Sequence, residues 1–315
     1  MRVLVTGGAG FIGSHLTRAL LSAGHEVVVV DSMNEYYDRS LKEARLAQFR
    51  DDVMFYELDI TDTDAFSNVF TNHRFDAVCH LAAQAGVRYS LEHPLIYGTT
   101  NVDGMLNVLE FSKRTGVSHV VFASSSSVYG SSGRIPFRED DPADAPVSVY
   151  GASKRAGELF ARTYADLFDL PVTCLRLFSV YGPYGRPDLA FFSFTKATLE
   201  GVPIDVYNSG MMKRDFTYVG DVVRGFLLAL EKPSGFQICN IGYGRAVPLL
   251  DFIKVIEEKL GRRAKLNLLP MQPGDVPETY ADTKKARKAL GFQAQVPIEE
   301  GIGKFVEWYR EYYRV

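Results

Sequence analysis

Through the first 180 residues, short β-branched runs alternate with longer segments of helical periodicity, and this alternation narrows the possible folds more than any other feature of the chain. The strand-like runs fall at residues 3–6, 26–31, 54–57, 77–81, 119–124 and 172–178. Several are apolar at consecutive positions, as strands covered on both faces are. Helical patterns at 11–23, 63–72, 94–115 and 150–168 lie between them, each able to return the chain for another parallel strand. The expectation is an α/β protein built on a doubly wound parallel sheet. After Ser179 the texture shifts to Gly, Pro and aromatic residues, so residues 1–179 are expected to form one domain and 180–315 a smaller C-terminal α/β substrate domain. Residues 215–241 read strand, helix, strand, and are expected to return to the first domain. Residues 131–146, rich in Ser, Gly, Pro and Asp, read as a long surface loop.

Charge excludes whole classes of partner. With 35 basic against 38 acidic residues the net charge is −3, so no global basic field exists to hold nucleic acid or an anionic membrane, and any anionic ligand must be gripped locally. The three cysteines, Cys79, Cys174 and Cys239, form no CxxC pair, which suggests neither a disulfide framework nor a zinc site. Cys79 and His80 adjoin, but alternation along a strand keeps them from sharing a metal. The opening apolar run is too short for a signal peptide or a membrane span, and a reducing, cytoplasmic location is expected.

The first strand leads into Thr6-Gly7-Gly8-Ala9-Gly10-Phe11-Ile12-Gly13, a GxxGxxG turn that opens a helix. Such glycines let backbone N–H groups at a helix N-terminus approach a pyrophosphate. In isolation the pattern is as readily a plain strand-to-helix turn. Asp31, 18 residues after Gly13 at the end of the second strand, adds the carboxylate that accepts from an adenosine ribose and repels a 2′-phosphate. The pair predicts a Rossmann-type sheet that binds NAD rather than NADP. Gly7, Gly10, Phe11, Ile12, Gly13 and Asp31, with Asn34, are the cofactor candidates. Asp59 and Ile60 after the third strand and Leu81, Ala82 and Ala83 after the fourth join them, at the sheet edge where such folds bind ligands.

Tyr150-Gly151-Ala152-Ser153-Lys154 sets a phenol and an amine four residues apart on one helix face. A lysine cation beside a phenol favours the phenolate, and moving that pKa from about 10 to about 7 takes roughly 4 kcal/mol. Alone the pattern is commonplace on helix surfaces. It gains weight from the serine cluster Ser124-Ser125-Ser126-Ser127-Val128-Tyr129-Gly130, which closes the preceding strand at the same edge.

These three motifs together resemble the extended short-chain dehydrogenases/reductases, the branch that modifies nucleotide sugars, and the likeness runs over essentially the whole chain. Within the branch, residues 82–90, 180–188, 214–218 and 272–277 are similar to the UDP-glucuronate 4-epimerases. The resemblance implies catalysis by Ser125, Tyr150 and Lys154, with Tyr150 and Lys154 also touching the cofactor and Ser125 sharing the substrate O4 hydrogen bond. It implies that Ser126, Ser127 and Ser179 face a sugar carboxylate, that Asp275 accepts from the uridine ribose, and that a homodimer forms through helices 94–115 and 150–168. Arg186 and Arg214 are expected to meet the diphosphate, because guanidinium forks match phosphate oxygens, and Arg88 or Arg186 to steady the carboxylate. Neutral-sugar 4-epimerases of the branch carry Asn where this chain has Ser179 and Arg where it has Gln272; a small hydroxyl leaves room for a carboxylate. The implied substrate is a UDP-uronic acid. A UDP-glucuronate decarboxylase, a neutral UDP-hexose 4-epimerase and a non-enzymatic NAD-binding scaffold remain as alternatives, the last disfavoured by the intact Ser–Tyr–Lys set. No metal is expected.

Overall fold

The computed structural model describes residues 1–315 except Ser132 and Pro273, so Pro273 of the 272–277 motif and Ser132 of the 131–146 loop lie outside the described residues. Seven strands form one sheet in the order Phe236–Ile241, Val172–Leu177, His119–Ser125, Ala77–His80, Arg2–Thr6, Glu26–Asp31, Met54–Glu57. Every neighbouring pair is parallel. The order reverses at Arg2–Thr6, where Thr6 stands opposite Val30 on one side and His80 on the other. Such a reversal splays the two connecting chains apart and leaves a crevice at the carboxyl ends of the strands.

Both faces of the sheet are covered, as the consecutive apolar residues require. Val3, Val5, Val27 and Val29 pack with helices Phe11–Ser22 and Val219–Leu230, while Leu4, Val28, Val30 and Val78 pack with helices Thr63–Asn72, Gly104–Thr115 and Val149–Phe168. The segment Phe236–Ile241 pairs with Val172–Leu177 over its full length, so this part of the chain completes the sheet after a long excursion.

Three expected elements differ in detail. The run 172–178 ends as a sheet strand at Leu177, and Ser179–Tyr181 pairs instead with Phe216–Tyr218 in a separate two-stranded sheet. Strand Ala77–His80 stops one residue short of the expected 77–81, although Leu81 N still donates to Thr6 O at 3.1 Å. The pattern 94–115 is broken: a short helix Leu95–Tyr97 passes through a π-helical turn, Gly98–Asp103, before Gly104–Thr115. The wide turn lets the buried Asn101 accept from Gln84 N at 2.8 Å and donate to Ser153 Oγ at 2.9 Å. Interruptions of this kind are frequent at functional sites.

The C-terminal part rests on an aromatic core. Tyr181, Phe191, Phe192, Phe252, Phe305 and Trp308 are buried between helices Ala190–Glu200, Leu249–Leu260 and Ile298–Tyr313, with Phe216 and Phe252 stacked at 3.8 Å. Asp215 fastens this part to itself: its buried carboxylate accepts from Thr217 Oγ1, Tyr243 N, Gly244 N and Ala281 N. Four partners offset the desolvation that pushes its pKa upward. The two parts meet along the sheet's carboxyl edge.

Candidate active site

A cleft of about 1060 Å³ runs along that edge between the two parts of the molecule. Single-ligand pockets span roughly 300–1,000 Å³, so this one is large for a single small ligand. Its first arm is built from the glycine turn. Gly7 has φ +73°, and a Cβ there would stand 2.7 Å from Ala82 N; one on Gly13 would stand 2.1 Å from Gly7 O. Only glycines allow the turn to close so tightly against the fourth strand's exit. Helix Phe11–Ser22 begins at Gly10 with no side-chain cap and no acidic residue in its first turn, leaving its N–H groups and dipole for an anion. Asp31 ends the second strand with one oxygen taking Ala9 N at 3.1 Å and the other Met33 N at 2.9 Å. Each oxygen retains a lone pair for a ribose hydroxyl. Asn34, Asp59, Ile60, Leu81, Ala82 and Ala83 line the same arm. The cradle fits a dinucleotide without a 2′-phosphate.

The next step along the edge is the serine turn. Alternation sends consecutive serines to opposite faces: Ser124 Oγ points into the core and donates to Glu158 Oε1 at 2.7 Å, whereas Ser125 lines the cleft and takes Ser127 N at 3.1 Å. Opposite it, Ser148 caps helix Val149–Phe168 by accepting from Gly151 N at 3.0 Å. Gly151 is the close approach here, for a Cβ would lie 2.5 Å from Ser127 O. The missing side chain lets the helix start press against the serine turn, so that Tyr150 and Ser125 line one cleft. One helical turn on, buried Lys154 donates to Ala123 O at 2.8 Å and lies over the Phe122 ring.

Burial is the largest influence on both groups. Burial pushes the Tyr150 phenol up, opposed by Ser125 and by the Arg186 charge. Burial brings Lys154 down to about 7, against partial support from Cys174 and Glu158.

Ser126, Ser127, Ser179 and Arg186 line the same cleft as Tyr150. Arg186 makes a bidentate pair with Asp188, at 2.9 and 2.8 Å, which fixes the guanidinium plane. In the second arm Arg88 stands 3.6 Å from Asp275 and 4.5 Å above the Tyr207 ring. Arg214 feels both Asp275 and Arg88, and burial lowers its pKa. The structure thus gathers Arg88 with Arg214 and Asp275, and holds Arg186 against Asp188 in the cleft that the serines also line.

Sequence reasoning missed Lys42, Asn101, Glu158 and Tyr207. Buried Lys42 sits 3.7 Å from Asp31 and donates to Asn34 Oδ1 at 2.8 Å. Glu158, eight residues after Tyr150, is paired with Arg176 at 2.8 Å through both oxygens. The i+4 spacing of Tyr150, Lys154 and Glu158 along one helix face is a signal that could have flagged Glu158. Among the described residues no three His, Cys, Asp or Glu side chains group to hold a metal, and no helix is long and apolar enough to cross a membrane.

Fold and site define the class: a Rossmann-type α/β protein whose cleft brings Ser125, Tyr150 and Lys154 together with the arginines Arg88, Arg186 and Arg214. Comparison with known proteins refines it. The profile of the NAD dependent epimerase/dehydratase family matches residues 3–242, and the chain belongs to that family. The probable UDP-glucuronate 4-epimerase of Rhizobium meliloti (strain 1021) is 42% identical over 335 residues, covering 100% of this chain and 98% of its own. The crystal structure of UDP-glucuronic acid 4-epimerase from Bacillus cereus, in complex with UDP-glucuronic acid and NAD, matches with a TM-score of 0.93 at 35% identity, over 99% of this chain and 100% of that one. UDP-glucose 4-epimerase from Thermotoga maritima, with UDP-glucose, matches with a TM-score of 0.91 at 34% identity over 99% of this chain and 100% of that one.

Proposed function

We propose that this protein is an NAD-dependent 4-epimerase that interconverts UDP-glucuronate and UDP-galacturonate. The observation that carries the reading is the lining of the cleft that holds Tyr150: three hydroxyls, Ser126, Ser127 and Ser179, share it with the guanidinium of Arg186. Hydroxyl donors and a cation suit a carboxylate next to the reacting carbon. Fold similarity alone does not choose the sugar, since neighbours with UDP-glucuronic acid and with UDP-glucose match almost equally well.

The Gly7–Gly13 turn, Asp31 and Lys154 would hold NAD, which would supply a hydride acceptor and donor for carbon 4. The protein's own part is proton and shape control. Tyr150 takes the O4 proton and later returns it, with Ser125 holding the same oxygen. The 4-keto sugar between the two half-reactions is a β-keto acid, which loses CO₂ when the carboxylate carbon bond aligns with the ketone π system. Ser126, Ser127 and Ser179 hold the carboxylate out of that alignment, and Arg186 keeps it charged. Arg214, Arg88 and Asp275 take the diphosphate and ribose of the uridine end.

We assign residues 1–179 with the 215–241 return to the cofactor half and the remaining C-terminal residues to the sugar-nucleotide half. Exposed apolar side chains, Leu95 at 86% and Leu159 at 53%, support a homodimer packed through the helical segments 94–115 and 150–168. Sedimentation at micromolar concentration is expected to give twice the chain mass, reduced to one by Leu95→Glu with Leu159→Glu. Three free, buried cysteines accord with a reducing, cytoplasmic setting.

The test of function is to incubate purified protein separately with UDP-glucuronate, UDP-glucose and UDP-galactose and to resolve products by chromatography and mass. UDP-galacturonate of unchanged mass is expected from the first. UDP-pentose as the main product makes the protein a decarboxylase, and turnover of only the two neutral sugars removes the carboxylate role from Ser179.

A further inference from the structure

The loop that delivers Arg186 to the cleft is gripped from behind by two side chains of the cofactor half. Arg45, in the last turn of helix Arg39–Leu46, is fully buried and does not line the cleft. Its Nε donates to Tyr184 O at 3.0 Å, and its Nη2 to Tyr184 O at 2.7 Å and Gly185 O at 3.4 Å. Its Nη1 donates to Ala9 O at 3.3 Å and to the Tyr37 hydroxyl. His15, from helix Phe11–Ser22, donates through Nε2 to Pro183 O at 2.9 Å. Three successive carbonyls, 183 to 185, therefore accept from side chains of two helices that follow the glycine turn, and Arg186 is the next residue. Ala9 belongs to that turn and donates its own N–H to Asp31.

Two features say that the grip does more than hold a loop. The Arg45 guanidinium is satisfied by carbonyls and a phenol, with no carboxylate at hydrogen-bonding distance among the described residues, and a buried cation held by dipoles is a costly fastening. Tyr184 also has φ +58°, a left-handed backbone that persists in a non-glycine residue only where its surroundings over-determine it. That turn aims the following side chain.

We propose that Arg45 is a positioning residue that, with His15, clasps the 183–185 carbonyls to the glycine turn and so sets where Arg186 meets the anionic sugar nucleotide. The inference rests on Arg186 being the anion contact described above. It gives the cofactor turn and the substrate arginine one common anchor, so that a change at either is felt at the other. His15 is held far below the usual imidazole range, at about 4, by burial, so its neutral ring keeps the bond to Pro183 across ordinary pH.

Binding is measured by calorimetry with UDP-glucuronate on the NAD-loaded full chain, in a Tyr150→Phe background that stops turnover. Arg45→Met and Arg186→Met are each expected to weaken binding about tenfold, the scale of a lost charge-assisted contact. Together they are expected to cost no more than about twofold beyond Arg186→Met alone, because one acts through the other. His15→Gln keeps an N–H donor and is expected to bind as the parent does, while His15→Phe weakens binding severalfold; this pair carries the same test if Arg45→Met does not fold. Losses that multiply in the double variant, or a His15→Gln variant as poor as His15→Phe, overturn the proposal. If no form binds UDP-glucuronate but UDP-glucose binds with the same non-additive pattern, the uronate reading falls and the clasp stands.

Discussion

Tyr150 and Lys154 do different jobs despite sitting one helical turn apart. Removing only the hydroxyl with Tyr150→Phe keeps the packed ring, so substrate affinity should hold while kcat falls by about 10²–10⁴-fold, the range for positioned acid–base groups. Steady-state kinetics beside a binding isotherm checks the split, and near parental kcat removes Tyr150 from proton transfer. Lys154 carries a stability signature as well. Its folded pKa lies at about 7, and its unfolded value is the ordinary one near 10.4. Between these values the unfolded chain holds the extra proton, so folding stability from this residue rises with pH through that window. The cost of burying the cation is fully present below pH 7. Thermal melts of parent and Lys154→Met from pH 6 to 10 should show the parent gaining on the variant as pH rises; a constant gap would mean that Lys154 does not titrate in that range.

At the scale of elements, helix Val149–Phe168 is pinned to the sheet by Glu158, which takes Ser124, Arg155 and both forks of Arg176 inside the core. Breaking a buried pair from one side typically costs about 3–5 kcal/mol because it strands the other charge. Glu158→Leu should therefore lower the urea midpoint sharply, and pairing it with Arg176→Met should recover part of the loss; a midpoint unmoved by either would show the pair to be incidental. The glycine turn, Asp31, the serine turn and Tyr150–Lys154 were legible in the sequence because each is a local spacing at a strand exit or helix start. Arg45 was not legible, since its partner Tyr184 lies 139 residues away, nor was Asn101, whose contact with Ser153 spans 52. The 94–115 pattern misled for the same reason: Asn101 opens the helix to reach a distant neighbour, overriding local periodicity. Beyond Ser179, strands as short as Lys213–Arg214 and Glu278–Thr279 leave no period to read.

Across the whole molecule, one topological fact has a consequence for how the chain comes to exist. The sheet's outermost strand, Phe236–Ile241, is made after the chain has already left the sheet at Leu177. During synthesis, strand Val172–Leu177 must wait as a bare, fully buried-type edge until some 60 more residues have emerged. Exposed apolar edges are templates for association with other chains. A fragment ending at residue 179 should then aggregate on expression, whereas one ending at 242 should be more soluble; equal solubility in a pelleting assay would argue against the edge as the hazard. Nascent copies therefore depend on rapid passage through this stretch or on a chaperone that shields it, and slow decoding between residues 180 and 235 would lower yield without altering a single residue of the finished protein.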